Sequence, residues 1–176
     1  MTANDFHTDP IPGLAHLAPD KMPVSDVGIT KRARMSFWRR VVPTDSGCWI
    51  WTGAVSSEGY GRITWTTPSG LPKTMSAHRF ALHLAHGGRL PNGLVGDHAC
   101  NHPLCVRVHH DHLRLSTQSD NLAWAVYSGR ANGRRVTVAS RHRREASLAQ
   151  RERLLGRASS DPTLALFDTQ GDINEP

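Results

Sequence analysis

Two neighbouring stretches of the chain concentrate residue types that can hold a metal ion or move a proton. Cys100-Asn-His-Pro-Leu-Cys105 sets two thiols in a C-x4-C spacing, and a His-rich run after it ends at His112-Leu113. Two thiolates and an imidazole suit Zn2+, which takes four soft-to-borderline ligands in a tetrahedron. A fourth ligand is required, and Cys48, in Gly-Cys-Trp, is the one cysteine left of three. Directly before the loop stands Asp97-His98, and Asn121 follows further on. Phosphodiester hydrolysis needs a base to deprotonate water and a cation to stabilise charge on the phosphorane and the leaving oxygen. A His supplies the base, and Asp and Asn oxygens suit Mg2+. Singly these residues are bland, since buried cysteines often serve as small hydrophobes. Their clustering is not bland: eight of the eleven His lie between His78 and His112, alongside two of the three Cys.

The elements that must position these groups are short. KRARMSFWRRVV reads as a basic helix or turn with Phe37, Trp38, Val41 and Val42 on its apolar side. Cys48 to Trp65 reads as a hairpin, CWIWT against GYGRITWT, with Ser-Ser-Glu-Gly as the turn. A helix is predicted over 77–86, capped by Ser76, with Phe80 and Leu84 four apart and Gly87-Gly88 as its stop. A strand over 94–98, the Cys-containing loop and a strand over 112–116 follow. The next helix runs over 118–128, with Thr117 and Asp120 as a capping pair and Leu122, Ala125 and Val126 as the inward stripe. Asn121 falls in its first turn, where a phosphate would meet the positive end of the helix dipole.

The totals bound the partners. With 176 residues there is room for one core and little more. No stretch approaches the roughly 18–20 apolar residues of a membrane span, and the amino terminus lacks the basic start and apolar run of a signal peptide. The expectation is a cytoplasmic protein of a bacterial host cell, with no membrane partner, and an odd number of cysteines argues against a disulfide framework. The net charge is +6 and the pI about 9.9, a balance that points to nucleic acid. From 129 to 158 nine Arg stand against two Glu, a local excess of seven that exceeds the net charge of the whole chain. Residues 1–30 read as a disordered leader, 31–128 as the catalytic domain, 129–158 as an Arg-rich DNA-binding arm, helical near 143–155, and 159–176 as an acidic disordered tail.

Taken together, RMSFWRRV, GCWIWTGA, GYGRI, SAHRFAL, GLVGDHACNHPLCV and HLRLSTQSDN resemble the zinc-containing HNH endonucleases of phage and homing type, within the ββα-metal (His-Me finger) nucleases. The resemblance runs from Arg34 to Asn121, half the chain. It implies an α+β fold: a small ββα-metal core with a preceding hairpin and helix, stapled by zinc and flanked by disordered termini. It makes His98 the general base and Asn121 a ligand of the catalytic divalent ion, Mg2+ or another, with Asp97 matching a second ligand. Cys48, Cys100, Cys105 and His112 match the zinc ligands, and Arg62 and Arg79 fall in elements that support the core or contact phosphate. One spacing departs from the family: the usual five residues from Cys to His are seven here to His112 and five to His110. His112 keeps the register to Leu113 and Asn121 and is preferred, while His110 keeps the Cys spacing and stays the alternative. Adjacent residues on a regular strand also point to opposite faces, so Asp97 shares a site with His98 only if the strand bends.

The expected activity is hydrolysis of double-stranded DNA, as nicks or double-strand cuts, by a monomer or homodimer. Arg130, Arg134, Arg135, Arg141, Arg143 and Arg144 would track phosphates, adding affinity rather than sequence choice. On this reading the core from 48 to 128 holds every ligand and the base, and the arm is separable from catalysis. A non-catalytic zinc DNA-binding protein would need neither His98 nor Asn121, and a phage packaging accessory is a third class.

Overall fold

The computed structural model describes the backbone of residues 24–127 and 136–160, and the side chains of 27–127 and 140–156. The expected acidic tail, most of the leader, and Arg130, Arg134 and Arg135 lie outside the described residues. The order of elements is β1 (Val24–Asp26), α1 (Lys31–Trp38), β2 (Val41–Pro43), β3 (Trp49–Trp51), β4 (Ala54–Val55), β5 (Gly61–Thr66), β6 (Pro72–Ser76), α2 (Ala77–Ala85), β7 (Arg89–Pro91), β8 (Leu94–His98), β9 (Leu113–Thr117), α3 (Gln118–Tyr127) and α4 (Val136–Ser160). The class is α+β, a small mixed domain of short antiparallel sheets and helices.

Thr30 caps α1, its hydroxyl accepting from the Ala33 amide at 3.2 Å, and the helix buries Ala33 and Phe37. Phe37 stacks on Trp51 at 5.2 Å and meets Phe80 at 5.1 Å, while Trp65 meets Phe80 edge-on at 5.1 Å. These rings tie α1, β3, β5 and α2 into one core, with geometries that add to their burial. The expected 48–65 hairpin forms differently. β3 pairs back onto β2, so Val41 and Val42 are strand rather than helix, and Ser56–Gly59 turns the chain between β4 and β5 instead. The loop at 104–106 occupies the other edge of β3, through Trp51 N–H to Leu104 O at 2.9 Å and Val106 N–H to Trp49 O at 2.8 Å. Both edges of β3 are therefore satisfied without the GYGRI strand.

The strand, loop, strand and helix order expected around the His/Cys cluster is present as β8, the 99–112 loop, β9 and α3. Thr117 and Asp120 form their capping pair, at 2.7 Å between side chains and 3.1 Å from the Asp120 amide to the Thr117 hydroxyl. The inward stripe of α3 needs correction. Leu122 and Val126 are 58% and 61% exposed, and the half-buried residues are Asn121, Trp124 and Ala125. With apolar residues running unbroken from Leu122 to Tyr127 the sequence does not fix the inward face, and the one-residue shift turns Asn121 inward. Ser76 also fails to cap α2, its hydroxyl meeting His78 Nε2 at 3.3 Å instead. The leader expected to be loose contains β1, which pairs with β7 through backbone bonds that leave no apolar period to read.

Candidate active site and metal centre

β8 and β9 pair in register from Leu94↔Thr117 to His98↔Leu113. Alternation then sorts β8 by face. Gly96 and His98 line a cleft of about 290 Å3 together with Ser56, Glu58, Tyr60, Arg62, Ser76, His78 and Asn121. Gly96 is needed there, because a Cβ would lie 3.0 Å from both His78 Cδ2 and Leu82 Cδ1. The structure thus brings His98, Asn121 and Arg62 together, although they come from three separate stretches of sequence. Arg79 is half-buried on α2 and does not line the cleft. Ser56 and Glu58 were read only as part of a turn, Tyr60 as part of GYGRI and Ser76 as a helix cap, none of them as a site residue; the turn between β4 and β5 delivers Ser56, Glu58 and Tyr60.

The ring of His98 is tied to the Cys loop. Its Nε2 lies 2.9 Å from the Cys105 carbonyl oxygen in a buried contact. A carbonyl only accepts, so Nε2 carries a proton, and in the neutral ring Nδ1 then carries the lone pair. Around it, the His78 ring stands edge-on at 4.9 Å and Tyr60 lies near parallel at 6.2 Å. Burial, then the neighbouring His98 and Arg79, push His78 down to about 3, so it is neutral. Its Nδ1 has no hydrogen-bond partner.

Asp97 is the exception among the expected site residues. The β8–β9 register runs unbroken through it, and the carboxylate, 1% exposed, takes bonds from Arg114 Nε at 3.2 Å and Nη2 at 3.0 Å. The register explains this, since Asp97 and Arg114 stand directly opposite each other. Arg114 in turn lies 5.4 Å over the Trp124 ring. Asp97 is therefore placed as an ion-pair partner on the face away from the cleft, where an ion at Asn121 would have to compete with Arg114 for it.

The second constellation is Cys48, Cys100, Cys105 and His112, whose ligand atoms all lie within 4.8 Å of one another. Cys48 arrives because β3 runs beside the 104–106 loop, and Ile50 bridges to Cys105. His112 arrives because its carbonyl accepts the Ala99 amide at 2.8 Å, extending the β8–β9 ladder by one step. His112 Nδ1 stands 3.5 Å from Cys48 Sγ and 3.9 Å from Cys105 Sγ. A tetrahedral site with ordinary Zn–S and Zn–N bonds has S···N edges of about 3.6 Å, so the donor set and its spacing fit zinc. The thiols also carry the strain of sharing a site. The bond to Cys105 draws Cys100 down to about 4, that same bond and burial push Cys105 up, and burial with the Cys100 charge pushes Cys48 up. A divalent cation relieves such crowding by stabilising every thiolate at once. Of the two candidate histidines, His112 joins the cluster. His110 is 69% exposed and faces Asp111 Oδ2 at 3.2 Å.

Residues 76–123, which span α2, both strands of the ladder and the start of α3, match the family model of the HNH endonucleases. The match is confined to this segment, about a quarter of the chain. Among curated proteins, the chain is similar to Protein 2.8 of Escherichia phage T7, 32% identical over 99 residues that cover 56% of this chain and 63% of the relative. It is also similar to Protein 7.7 of the same phage, 37% identical over 83 residues that cover 47% of this chain and 58% of the relative. The chain thus spans about three fifths of the length of these relatives. No solved structure matches. Among the described residues no helix is long and apolar enough to cross a membrane.

Proposed function

We propose that the protein is a DNA endonuclease in which His98 is the general base and Asn121 a ligand of the catalytic ion. The observation that supports this most directly is the pairing of His98 with the Cys105 carbonyl inside the cleft that Asn121 also lines. That bond selects the tautomer with a proton-accepting Nδ1, the requirement for a base acting on water. In the proposed step Nδ1 takes a proton from water as the water oxygen bonds to phosphorus. The bond to the 3′ oxygen breaks, and Arg62 on the cleft wall attracts the phosphate. A divalent ion held by Asn121, with Glu58 the carboxylate of the same cleft, would stabilise charge on the phosphate and the leaving oxygen. The Cys3His cluster does no chemistry in this scheme. With zinc bound it would hold the loop whose Cys105 carbonyl aims the base.

The test is nicking of supercoiled plasmid by the purified full-length protein with Mg2+ and with EDTA, beside Asn121→Ala. The expected result is cleavage with Mg2+, none with EDTA, and a loss of at least about a hundredfold in the variant. A folded protein that binds DNA and leaves the plasmid intact under all divalent ions is instead a zinc-containing DNA-binding protein.

A further inference from the structure

Residues 143, 147, 150 and 151 of α4 follow the i, i+4, i+7, i+8 spacing of one helix face, and each touches the nuclease domain. Arg143 Nε donates to the Glu58 carbonyl at 2.6 Å, and its guanidinium lies 5.1 Å over the Tyr60 ring. Ser147, buried, donates to the Gly59 carbonyl at 2.8 Å. Gln150 meets His102 of the Cys loop at 3.4 Å, and Arg151 donates to the Thr52 carbonyl just beyond β3 at 2.8 Å. The helix comes so close to the turn that a Cβ on Gly59, at φ +86°, would lie 2.8 Å from the Arg143 carbonyl carbon and the Arg144 nitrogen.

We infer that α4 is a positioning part of the cleft: Arg143 and Ser147 clamp the Ser56–Tyr60 turn so that Tyr60 packs against His98. The inference rests on the nuclease reading of that cleft. The turn closes its own inner bonds, Ser56 N–H to Tyr60 O at 2.8 Å and Gly59 N–H to Ser56 O at 3.1 Å. The carbonyls of Glu58 and Gly59 are the ones α4 takes. Tyr60 then links the helix to the base, with Arg143 over its ring and the rings of His98 and His78 beside it at 6.2 and 5.4 Å. The arginines of α4 divide accordingly. Arg143 and Arg151 are committed inward, while Arg141, Arg144 and Arg153 are exposed and remain available to phosphate.

Arg143→Lys separates positioning from plain attraction. Lysine keeps the charge but loses the planar group that donates from Nε while lying flat on Tyr60. Ser147→Ala removes the second clamp without altering charge. Both are compared with wild type in the full chain, by kcat at saturating DNA, the salt dependence of DNA binding, and amide exchange of a peptide covering 56–60. Expected are a kcat lower by roughly tenfold in each, faster exchange at 56–60, and a binding slope against log salt changed by less than the ~0.9 that one lost phosphate contact gives. Wild-type kcat in both variants would overturn the inference, whether or not exchange rises, and so would unchanged exchange. A wild-type protein that does not cut removes the nuclease reading and this inference with it. That outcome is recognised before any variant is measured.

Discussion

Around Cys105 the chain gathers ligand atoms from three segments and packs them within 4.8 Å. Around His98, two residues before Cys100, it leaves polar groups facing a cleft of about 290 Å3. Both regions are built on the same strand pair, and the contrast follows the general division between closed structural metal sites and open catalytic ones. The closed cluster is not independent of the open one, because the Cys105 residue that offers a thiol also offers its carbonyl to His98 Nε2. On the proposed reading, a zinc-filled cluster would hold the loop whose carbonyl aims the base.

The largest effect should come from the closed side. Stripping the metal from purified protein, or replacing Cys105 with Ser, is expected to unfold the domain and abolish cleavage, as in other small zinc-stapled units. Metal analysis should find about one zinc per chain in wild type. A folded, active and zinc-free preparation would erase the distinction between the two regions.

A smaller effect probes the boundary between them. Asp97→Asn leaves Arg114 facing a neutral amide and should lower stability by about 1–3 kcal/mol. The folded fraction should retain Mg2+-dependent cleavage. If Asp97 instead leaves Arg114 to hold the cleft ion, the variant would lose cleavage by orders of magnitude at nearly unchanged stability. Denaturant melts and nicking rates on the same sample separate the two.

The smallest effect concerns His78, buried and neutral at the back of the cleft. Its native pKa, about 3, lies below the ordinary value of 6.5. Below pH 6.5 the unfolded chain therefore takes a proton that the native state refuses, and stability falls as pH drops from about 6.5 toward 3. Between pH 7 and 5 this should cost wild type up to about 2 kcal/mol more than His78→Gln. Denaturant midpoints at both pH values, with zinc saturating, check it. Equal losses in the two proteins would mean that His78 is protonated in the native state.

What was legible in the sequence was what carries a local signature. β8 matches its expected bounds, and α3 begins at Gln118 as read, because turn residues and the Thr117–Asp120 cap punctuate them. The Cys3His group was legible through ligand chemistry, and His112, preferred over His110 for its register to Leu113 and Asn121, is held in the group by the ladder bond of its carbonyl to the Ala99 amide. The ion pair of Asp97 with Arg114 was not legible, because it depends on the cross-strand register that sets the two opposite each other. The docking of α4 was hidden for a different reason. Helices usually dock by an apolar stripe, and this one sets Arg143, Ser147 and Arg151 on backbone carbonyls and Gln150 on His102, contacts that the reading as an Arg-rich DNA-binding arm did not include. The place of Glu58 and Tyr60 in the cleft was not legible, because only the β4–β5 pairing brings their turn there.

The most direct test of the division between a stapling cluster and a catalytic cleft is a paired measurement on His98→Ala: zinc content and plasmid-nicking rate from one preparation. If His98 is the base, the variant should hold about one zinc per chain, melt close to wild type and bind DNA, while cutting about 10²–10⁴-fold more slowly. A His98→Ala protein that retains its zinc and nicks at the wild-type rate would contradict the assignment of the base and the cleft with it.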